Sequence, residues 1–236
     1  MNPPKRMTRL PRLRWLDEIP DAVAAPALAI SIIQICSALA PLSVLRRTWR
    51  MVELSPGRIV RAIEAGDVLG VVRPYLGYMF FHINFTHYLL NLAAICGLGV
   101  FVHREMSARA NPGRSDASAA FLAFFLLTGL AAGFAYCAAN LQAFRGMLGA
   151  SGAAAGLFGA AIWITITRHG ETENWRKGAA LTLATLNGVM LTYLVDTAPL
   201  SRYLFNSASA WQAHAGGYVF GLFAYPLFER MAQSSR

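Results

Sequence analysis

The sequence predicts an all-α protein that crosses a membrane several times as one bundle of six helices. Of the 236 residues, 56% are hydrophobic and only 14% are charged, and the mean hydropathy is +0.42. Such values are typical of a multi-pass membrane protein rather than of a soluble domain. The apolar residues also form stretches of about 20, which is the length that a helix needs to cross a bilayer. Polar segments rich in arginine separate these stretches.

Six apolar stretches are predicted to form membrane-spanning helices. They cover residues 23–45, 79–102, 118–140, 147–167, 178–195 and 205–228. The long connection after the first stretch contains a segment with helical apolar spacing, 56–69, which predicts a short helix at the membrane surface. The predicted organisation is therefore a basic cytoplasmic tail over 1–22, one six-helix domain over 23–230 and a short cytoplasmic tail over 231–236. The basic start lacks a small-residue cleavage site after a short apolar core, which favours a signal anchor over a cleaved signal peptide.

The distribution of positive charge predicts the orientation, because cytoplasmic loops carry more arginine and lysine. The loops after the second and fourth stretches hold Arg104, Arg109, Arg114, Arg168, Arg176 and Lys177. The loops after the third and fifth stretches hold only Arg145 and Arg202. Both termini are therefore predicted to be cytoplasmic, and a bacterial plasma membrane is the expected location. The first connection disagrees, because it would lie outside and yet holds Arg46, Arg47, Arg50, Arg58, Arg61 and Arg73.

Two classes of ligand are disfavoured. The net charge of +9 is compatible with nucleic-acid binding, but the arginines lie between apolar segments, which favours cytoplasmic loops and anionic lipid. The three cysteines are separated and lack C-x-x-C spacing, so neither a disulfide framework nor a zinc site is predicted. A metal site built from His82, His87 and His214 is not predicted either, because no H-x-x-x-H spacing and no nearby carboxylate accompany them.

Polar side chains in three predicted helices fall at a similar depth. With the predicted orientation, the second, fourth and sixth stretches all enter the membrane from the outer face. At about 1.5 Å rise per residue, His87, Asn91, Ser151 and His214 would lie on the order of 5–17 Å below that face. Ionisable residues inside a span are costly, and by default they mark a functional site.

Ser151 is the candidate nucleophile. It stands in a segment of glycine and alanine, 149–152, where small residues leave room for a substrate backbone and for close helix packing. On this segment alone, a helix cap or a packing residue is the simpler interpretation. A serine hydroxyl needs a base to take its proton, and the neutral imidazole of His214 is the candidate base. Gly217 and Gly221 follow one turn apart, a pattern that favours close approach of this helix to the fourth helix.

The backbone N–H of Ser151 near a helix start, together with His87 and Asn91, supplies candidate donors for an oxyanion. His87 and Asn91 are four residues apart and so share one face of a helix. His82 is given a supporting role in orienting the first loop. Each histidine taken singly is equally consistent with a buried structural hydrogen bond. Asp196 is interpreted as a solvated helix-end carboxylate rather than as a third catalytic residue.

Three motifs together resemble those of the rhomboid intramembrane serine proteases. They are, in chain order, His82-x4-His87-x3-Asn91, Gly149-Ala150-Ser151-Gly152 and Ala213-His214-x-Gly216-Gly217-x3-Gly221. The resemblance covers residues 73–228 and implies a six-helix rhomboid fold with a Ser–His dyad and no third acidic residue. By motif position, Ser151 is the implied nucleophile, His214 the general base, and His87 and Asn91 the oxyanion stabilisers. No metal and no organic cofactor are implied.

The resemblance implies an intramembrane serine endopeptidase that cuts transmembrane segments of other membrane proteins near their outer end. Lateral entry beside the fifth helix is the implied route. Arg73-Pro74 stands where the family often has Trp-Arg, and Ala155 where an aromatic residue often stacks on the histidine. These departures indicate a divergent branch and leave open an inactive rhomboid-like protein that binds transmembrane helices. A transporter or channel is disfavoured, because the polar groups cluster in the outer half of the predicted bundle.

Overall fold

The computed structural model describes residues 19–110, 116–169 and 210–234, and the structural statements below concern these residues. Within them the chain is helical and contains no β-strand, which confirms the predicted all-α class. The helices are α1 (Asp21–Leu39), α2 (Leu42–Val52), α3 (Pro56–Glu64), α4 (Val68–Gly77), α5 (Phe85–Ser107), α6 (Asp116–Ala139), α7 (Ser151–His169) and α8 (Trp211–Ser234). A 3₁₀ turn, Tyr78–Phe80, follows α4.

Three of the described helices are long and apolar enough to cross a membrane. These are Asp21–Leu39, Phe85–Ser107 and Ala117–Ala139, and they correspond to the first three predicted stretches. A shorter apolar helix, Ser151–Thr167, corresponds to the fourth. The basic start up to residue 18, the predicted fifth stretch at 178–195 and Asp196 lie outside the described residues, as do residues 205–209 of the sixth stretch.

Two predicted boundaries near the first connection are wrong, because apolar composition does not mark helix ends. The first helix ends at Leu39 rather than at residue 45, since the backbone is extended at Ala40, the residue before Pro41. The next spanning helix, α5, begins at Phe85 rather than at 79. Its start is fixed by Asn84, whose side-chain oxygen accepts a hydrogen bond from the third helical N–H at 2.8 Å.

The later helices also differ from prediction. Helix α5 continues to Ser107 rather than 102, and α8 continues to Ser234 rather than 228. Helix α7 begins at Ser151 rather than 147. Helix α8 begins at Trp211, and the predicted start at 205 lies outside the described residues. The apolar residues immediately before α7 therefore form a loop, although their composition resembles that of the helix that follows.

The first connection contains three helices and a 3₁₀ turn rather than one surface helix. The predicted helix over 56–69 is interrupted at Gly66, whose φ of +66° favours glycine. Asp67 then starts α4, because its side chain accepts a hydrogen bond from the N–H of Gly70 at 2.9 Å.

Glycines bring α7 and α8 into close contact. A Cβ atom at Gly217 would overlap the carbonyl oxygen of Gly152, and one at Gly221 would overlap that of Gly156. Helix α8 also packs against α6. The predicted close approach of the last helix to the serine-bearing helix is therefore present, and it is held from the other side by α6.

An antiparallel backbone bridge joins the first connection to the loop before α7. The N–H of Leu54 donates to the carbonyl of Met147 at 3.1 Å, and the N–H of Met147 donates to the carbonyl of Leu54 at 3.0 Å. The Ser55 hydroxyl adds a hydrogen bond to the carbonyl of Phe144 at 3.0 Å. These bonds fix the loop that leads to Ser151 against a segment nearly one hundred residues earlier in the chain.

Candidate active site

Ser151 is the first residue of α7, not one turn inside it as predicted. The loop before it turns at Gly149, which has a φ of +124° and whose N–H donates to the carbonyl of Tyr78 at 2.9 Å. A Cβ atom at Gly149 would also overlap the ring of His87. Glycine is thus required at this position both by the backbone conformation and by the approach of the imidazole.

His214 lies beside Ser151. It is the fourth residue of α8 rather than more than two turns inside the helix, because α8 begins at Trp211. Its Nε2 atom is 2.7 Å from the Oγ atom of Ser151, which is hydrogen-bonding distance. Gly152 follows Ser151 directly and Gly217 lies about one turn after His214, and the contact between these two glycines sets how closely their helices approach. A serine hydroxyl hydrogen-bonded to an imidazole is the arrangement of a nucleophile and its general base.

His82 and His87 border the loop that leads to the serine. His82 lies between the 3₁₀ turn and α5, is 3% exposed, and accepts a hydrogen bond at Nε2 from the N–H of Ala150 at 3.4 Å. His87 is the third residue of α5, and its ring lies edge-on to that of His82 with centroids 5.1 Å apart. The predicted supporting histidine therefore contacts the loop before α7. No group of three His, Cys, Asp or Glu side chains in the described ranges has the arrangement of a metal site.

Asn91 lies one turn after His87 on α5 and is 4% exposed. Its amide nitrogen donates to the backbone carbonyl of His87 at 2.9 Å, four residues earlier in the same helix. The side chain is therefore bonded to its own helix in this structure. Because an amide NH₂ carries two donors, this bond uses only one of them.

Tyr78 belongs to the site although no sequence pattern pointed to it. Its side chain is 1% exposed, and its hydroxyl donates to the carbonyl of Gly129 on α6 at 2.6 Å. Its own carbonyl accepts the N–H of Gly149, as described above. Burial raises the pKa of Tyr78 above its ordinary value, so the hydroxyl stays protonated as a donor. Tyr78 thus links α6 to the serine loop, and only the three-dimensional contacts reveal this role.

The two departures from the rhomboid pattern have different surroundings. Pro74 is buried inside α4 and Arg73 is exposed on the same helix. Ala155 is half-buried on α7. One turn further from the dyad, Phe158 and Tyr218 place their rings 5.8 Å apart across the α7–α8 contact. An aromatic pair therefore lies between these helices, below the level at which the family often has its aromatic residue.

The sequence model of the Rhomboid domain matches residues 70–230 of the chain. This range is more than half of the 236 residues and contains all three motifs that the sequence shares with rhomboids. The chain belongs to the rhomboid family. Membership of the rhomboid family and the apolar helices together indicate an integral membrane protein. A comparison with curated proteins gives no match.

Proposed function

We propose that this rhomboid is an intramembrane serine endopeptidase, with Ser151 as nucleophile and His214 as general base. The distance of 2.7 Å between Nε2 and Oγ carries the proposal. The two residues are 63 positions apart and come from different helices, α7 and α8, which glycines bring into close contact. Packing alone does not require a hydroxyl and an imidazole at this contact, whereas acyl transfer requires both.

The proposed reaction begins with attack of the Ser151 oxygen on a substrate carbonyl carbon. His214 takes the hydroxyl proton as the new carbon–oxygen bond forms, and returns it to the amide nitrogen as the carbon–nitrogen bond breaks. Water then attacks the carbonyl carbon of the resulting ester while His214 accepts a proton from the water. His214 returns this proton to the Ser151 oxygen as the ester carbon–oxygen bond breaks, which restores Ser151. One complete cycle leaves one peptide fragment with a new amine and the other with a new carboxylate.

The developing oxyanion has three proposed donors. The backbone N–H of Ser151 is at the start of α7, where N–H groups have no helical acceptor. The ring of His87 borders the same loop, because it occupies the position where a Cβ atom of residue 149 would lie. Asn91 has a second amide N–H beyond the one that bonds the His87 carbonyl. Donors aimed at such a charge commonly contribute more than any other single effect in this chemistry.

The proposed substrates are transmembrane segments of other membrane proteins, cut near their outer end. The supporting observation is the position of the dyad at the N-terminal ends of α7 and α8, rather than at their centres. The expected entry route beside the fifth helix falls on residues outside the described part of the chain.

Labelling with a fluorophosphonate probe tests the dyad directly, because the probe reacts with activated serines. The purified chain in detergent would be compared with Ser151→Ala, His214→Ala and the control Ser31→Ala. Ser31 is a good control because it is also a half-buried serine in an apolar helix, where its hydroxyl bonds the carbonyl of Ala27 at 2.7 Å. We expect labelling of the wild type and of Ser31→Ala, and none of the two dyad variants. Full labelling of Ser151→Ala would refute the assignment.

Cleavage of a transmembrane reporter in proteoliposomes completes the test. Mass spectrometry of the products gives the cut position, which we expect in the outer part of the reporter segment. A folded wild type that neither labels nor cleaves would favour the second candidate, a rhomboid-like protein that binds transmembrane helices without cutting them. The engagement of Asn91 by its own helix and the alanine at position 155 are the observations that favour this alternative.

A further inference from the structure

A cavity of about 360 Å³ lies on the first connection, between α2, α3 and α4. None of the proposed catalytic residues lines it. Its charged lining consists of Arg50, Arg58, Arg61, Arg73, Glu53 and Asp67, and we call it the arginine cavity. Four positive side chains therefore face two negative ones, in a volume within the range of small-ligand pockets.

Two of the arginines hold the cavity together. The guanidinium of Arg58 forms an ion pair with the carboxylate of Glu53 and donates to the backbone carbonyl of Arg50 at 2.8 Å. The guanidinium of Arg61 lies over the ring of Phe144, 4.7 Å from its centroid. These contacts connect α2, α3 and the loop before α7, so the walls are fixed by side chains that already have partners.

The other two arginines carry the charge that is left over. The side chains of Arg50 and Arg73 are exposed, and they form no hydrogen bond or ion pair within the described ranges. Both carboxylates are engaged, because Glu53 pairs with Arg58 and Asp67 accepts the N–H that starts α4. The cavity thus offers two guanidinium groups to an anion from outside the chain.

We propose that the arginine cavity binds the phosphate group of an anionic membrane phospholipid. One guanidinium group can donate two parallel hydrogen bonds to two oxygens of a phosphate, a geometry that lysine does not reproduce. The rim favours a lipid over free phosphate, because Met51 and Leu69 line the cavity and are 44% and 56% exposed. On α2, Leu42 and Val44 are also exposed, as expected for a helix lying in the interface.

This site also accounts for four of the six arginines that contradict the predicted orientation, because Arg46 and Arg47 lie outside the cavity. Arginines in loops normally indicate the cytoplasmic side. Arginines that bind headgroup phosphate serve a different purpose and are compatible with either leaflet. The proposal concerns lipid binding alone and does not depend on peptidase activity.

Thermal unfolding of the full chain in non-ionic detergent, with added lipid, tests the site. The titrants are phosphatidylglycerol, phosphatidylcholine and inorganic phosphate. The variant is Arg50→Gln/Arg73→Gln, and the control is Arg46→Gln/Arg47→Gln, which removes the same charge from exposed positions on α2 outside the cavity. We expect phosphatidylglycerol to raise Tm for the wild type and the control. For the same rise in Tm, the cavity variant should need a concentration of this lipid that is higher by about tenfold or more, given the usual strength of charged hydrogen bonds.

Each outcome decides the proposal. An equal loss in both double variants would mean that the lipid senses surface charge only, and would overturn it. No preference of the wild type for phosphatidylglycerol over phosphatidylcholine, together with no response to phosphate, would overturn it as well. Stabilisation by inorganic phosphate that the cavity variant loses would support the phosphate site with free phosphate as its source.

If Arg50→Gln/Arg73→Gln cannot be purified in a folded state, a second measurement tests the site. Native mass spectrometry of the wild type, mixed with equal amounts of the two lipids, should show retained phosphatidylglycerol. Arg50→Lys/Arg73→Lys keeps the charge but removes the paired geometry, and should retain less of this lipid than the wild type. Equal retention of both lipids by the wild type would refute the proposal without any variant.

Discussion

Replacing Gly217 by alanine would test how the serine and histidine are held together. A Cβ atom at this position would overlap the carbonyl oxygen of Gly152, which is helical backbone and has no rotamer to relieve the clash. Carbon and oxygen approach to about 3.3 Å even in the closest ordinary contacts. The added methyl would lie 2.0 Å from that oxygen. This is inside the limit by about 1.3 Å, so α7 and α8 must move by about 1 Å to relieve the overlap.

Two effects follow from that movement. Overpacking of a well-packed contact costs about 1–3 kcal/mol in the free energy of unfolding. Displacement by about 1 Å would also lengthen the Nε2–Oγ hydrogen bond, now 2.7 Å, and a misplacement of this size costs about 10²-fold in rate. Gly217→Ala should therefore lower both the thermal stability and the rate of fluorophosphonate labelling, although it touches neither reacting side chain.

Gly97 provides the matched control. It lies inside α5, and a Cβ atom there would meet no heavy atom within 4 Å. Gly97→Ala should leave the labelling rate unchanged and stabilise the chain by about 0.5–1 kcal/mol, since alanine is favoured over glycine inside helices. Both variants would be measured by thermal unfolding in detergent, by labelling rate and by reporter cleavage. If Gly217→Ala behaved like Gly97→Ala in all three, the inference that the glycine contact sets the dyad distance would be wrong.

Two further substitutions test the surroundings of the dyad. Asn91→Ala should lower kcat by about 10²–10³-fold if its amide helps to bind the oxyanion. The control Asn140→Ala should leave kcat unchanged, although the Asn140 amide also donates to the carbonyl four residues earlier, at 2.8 Å. A change of Asn91→Ala confined to KM would contradict the role. Tyr78→Phe should lower the free energy of unfolding by about 1–3 kcal/mol, because it removes a fully buried hydrogen bond to Gly129. Chemical denaturation measures this loss, and an unchanged midpoint would show that the bond to Gly129 does not stabilise the fold.

The residues of the site could be predicted because their chemistry is unusual for their surroundings. A hydroxyl between glycines and an imidazole followed by glycines are conspicuous in apolar stretches, and the glycine spacing indicates which helices approach. Ser151 and His214 are accordingly within hydrogen-bonding distance in the structure. Family membership and geometry together support the catalytic roles of these two residues, which stay a proposal that labelling tests.

Helix starts could not be predicted, because apolarity does not distinguish a helix from an apolar loop. The residues just before Ser151 are small and apolar, yet they form a loop that turns at Gly149. Counting residues from the assumed helix starts therefore places His87 and Ser151 too many turns inside their helices. The start of α5 was readable in principle, since Asn84 is a favoured capping residue, but its signal was masked by the apolar residues on either side.

The bridge between Leu54 and Met147 lies beyond any local pattern, because it pairs residues far apart in sequence. The bridge also connects the proposed lipid site to the serine loop, because Glu53, the neighbour of Leu54, forms an ion pair with Arg58 in the arginine cavity. Connection alone does not make lipid binding regulate the serine. Binding changes a second site only when the two states of that site differ in affinity for the ligand. A rise in Tm with unchanged labelling would therefore mean that the lipid stabilises one fixed arrangement, whereas a parallel change in labelling rate would require a second arrangement of the loop.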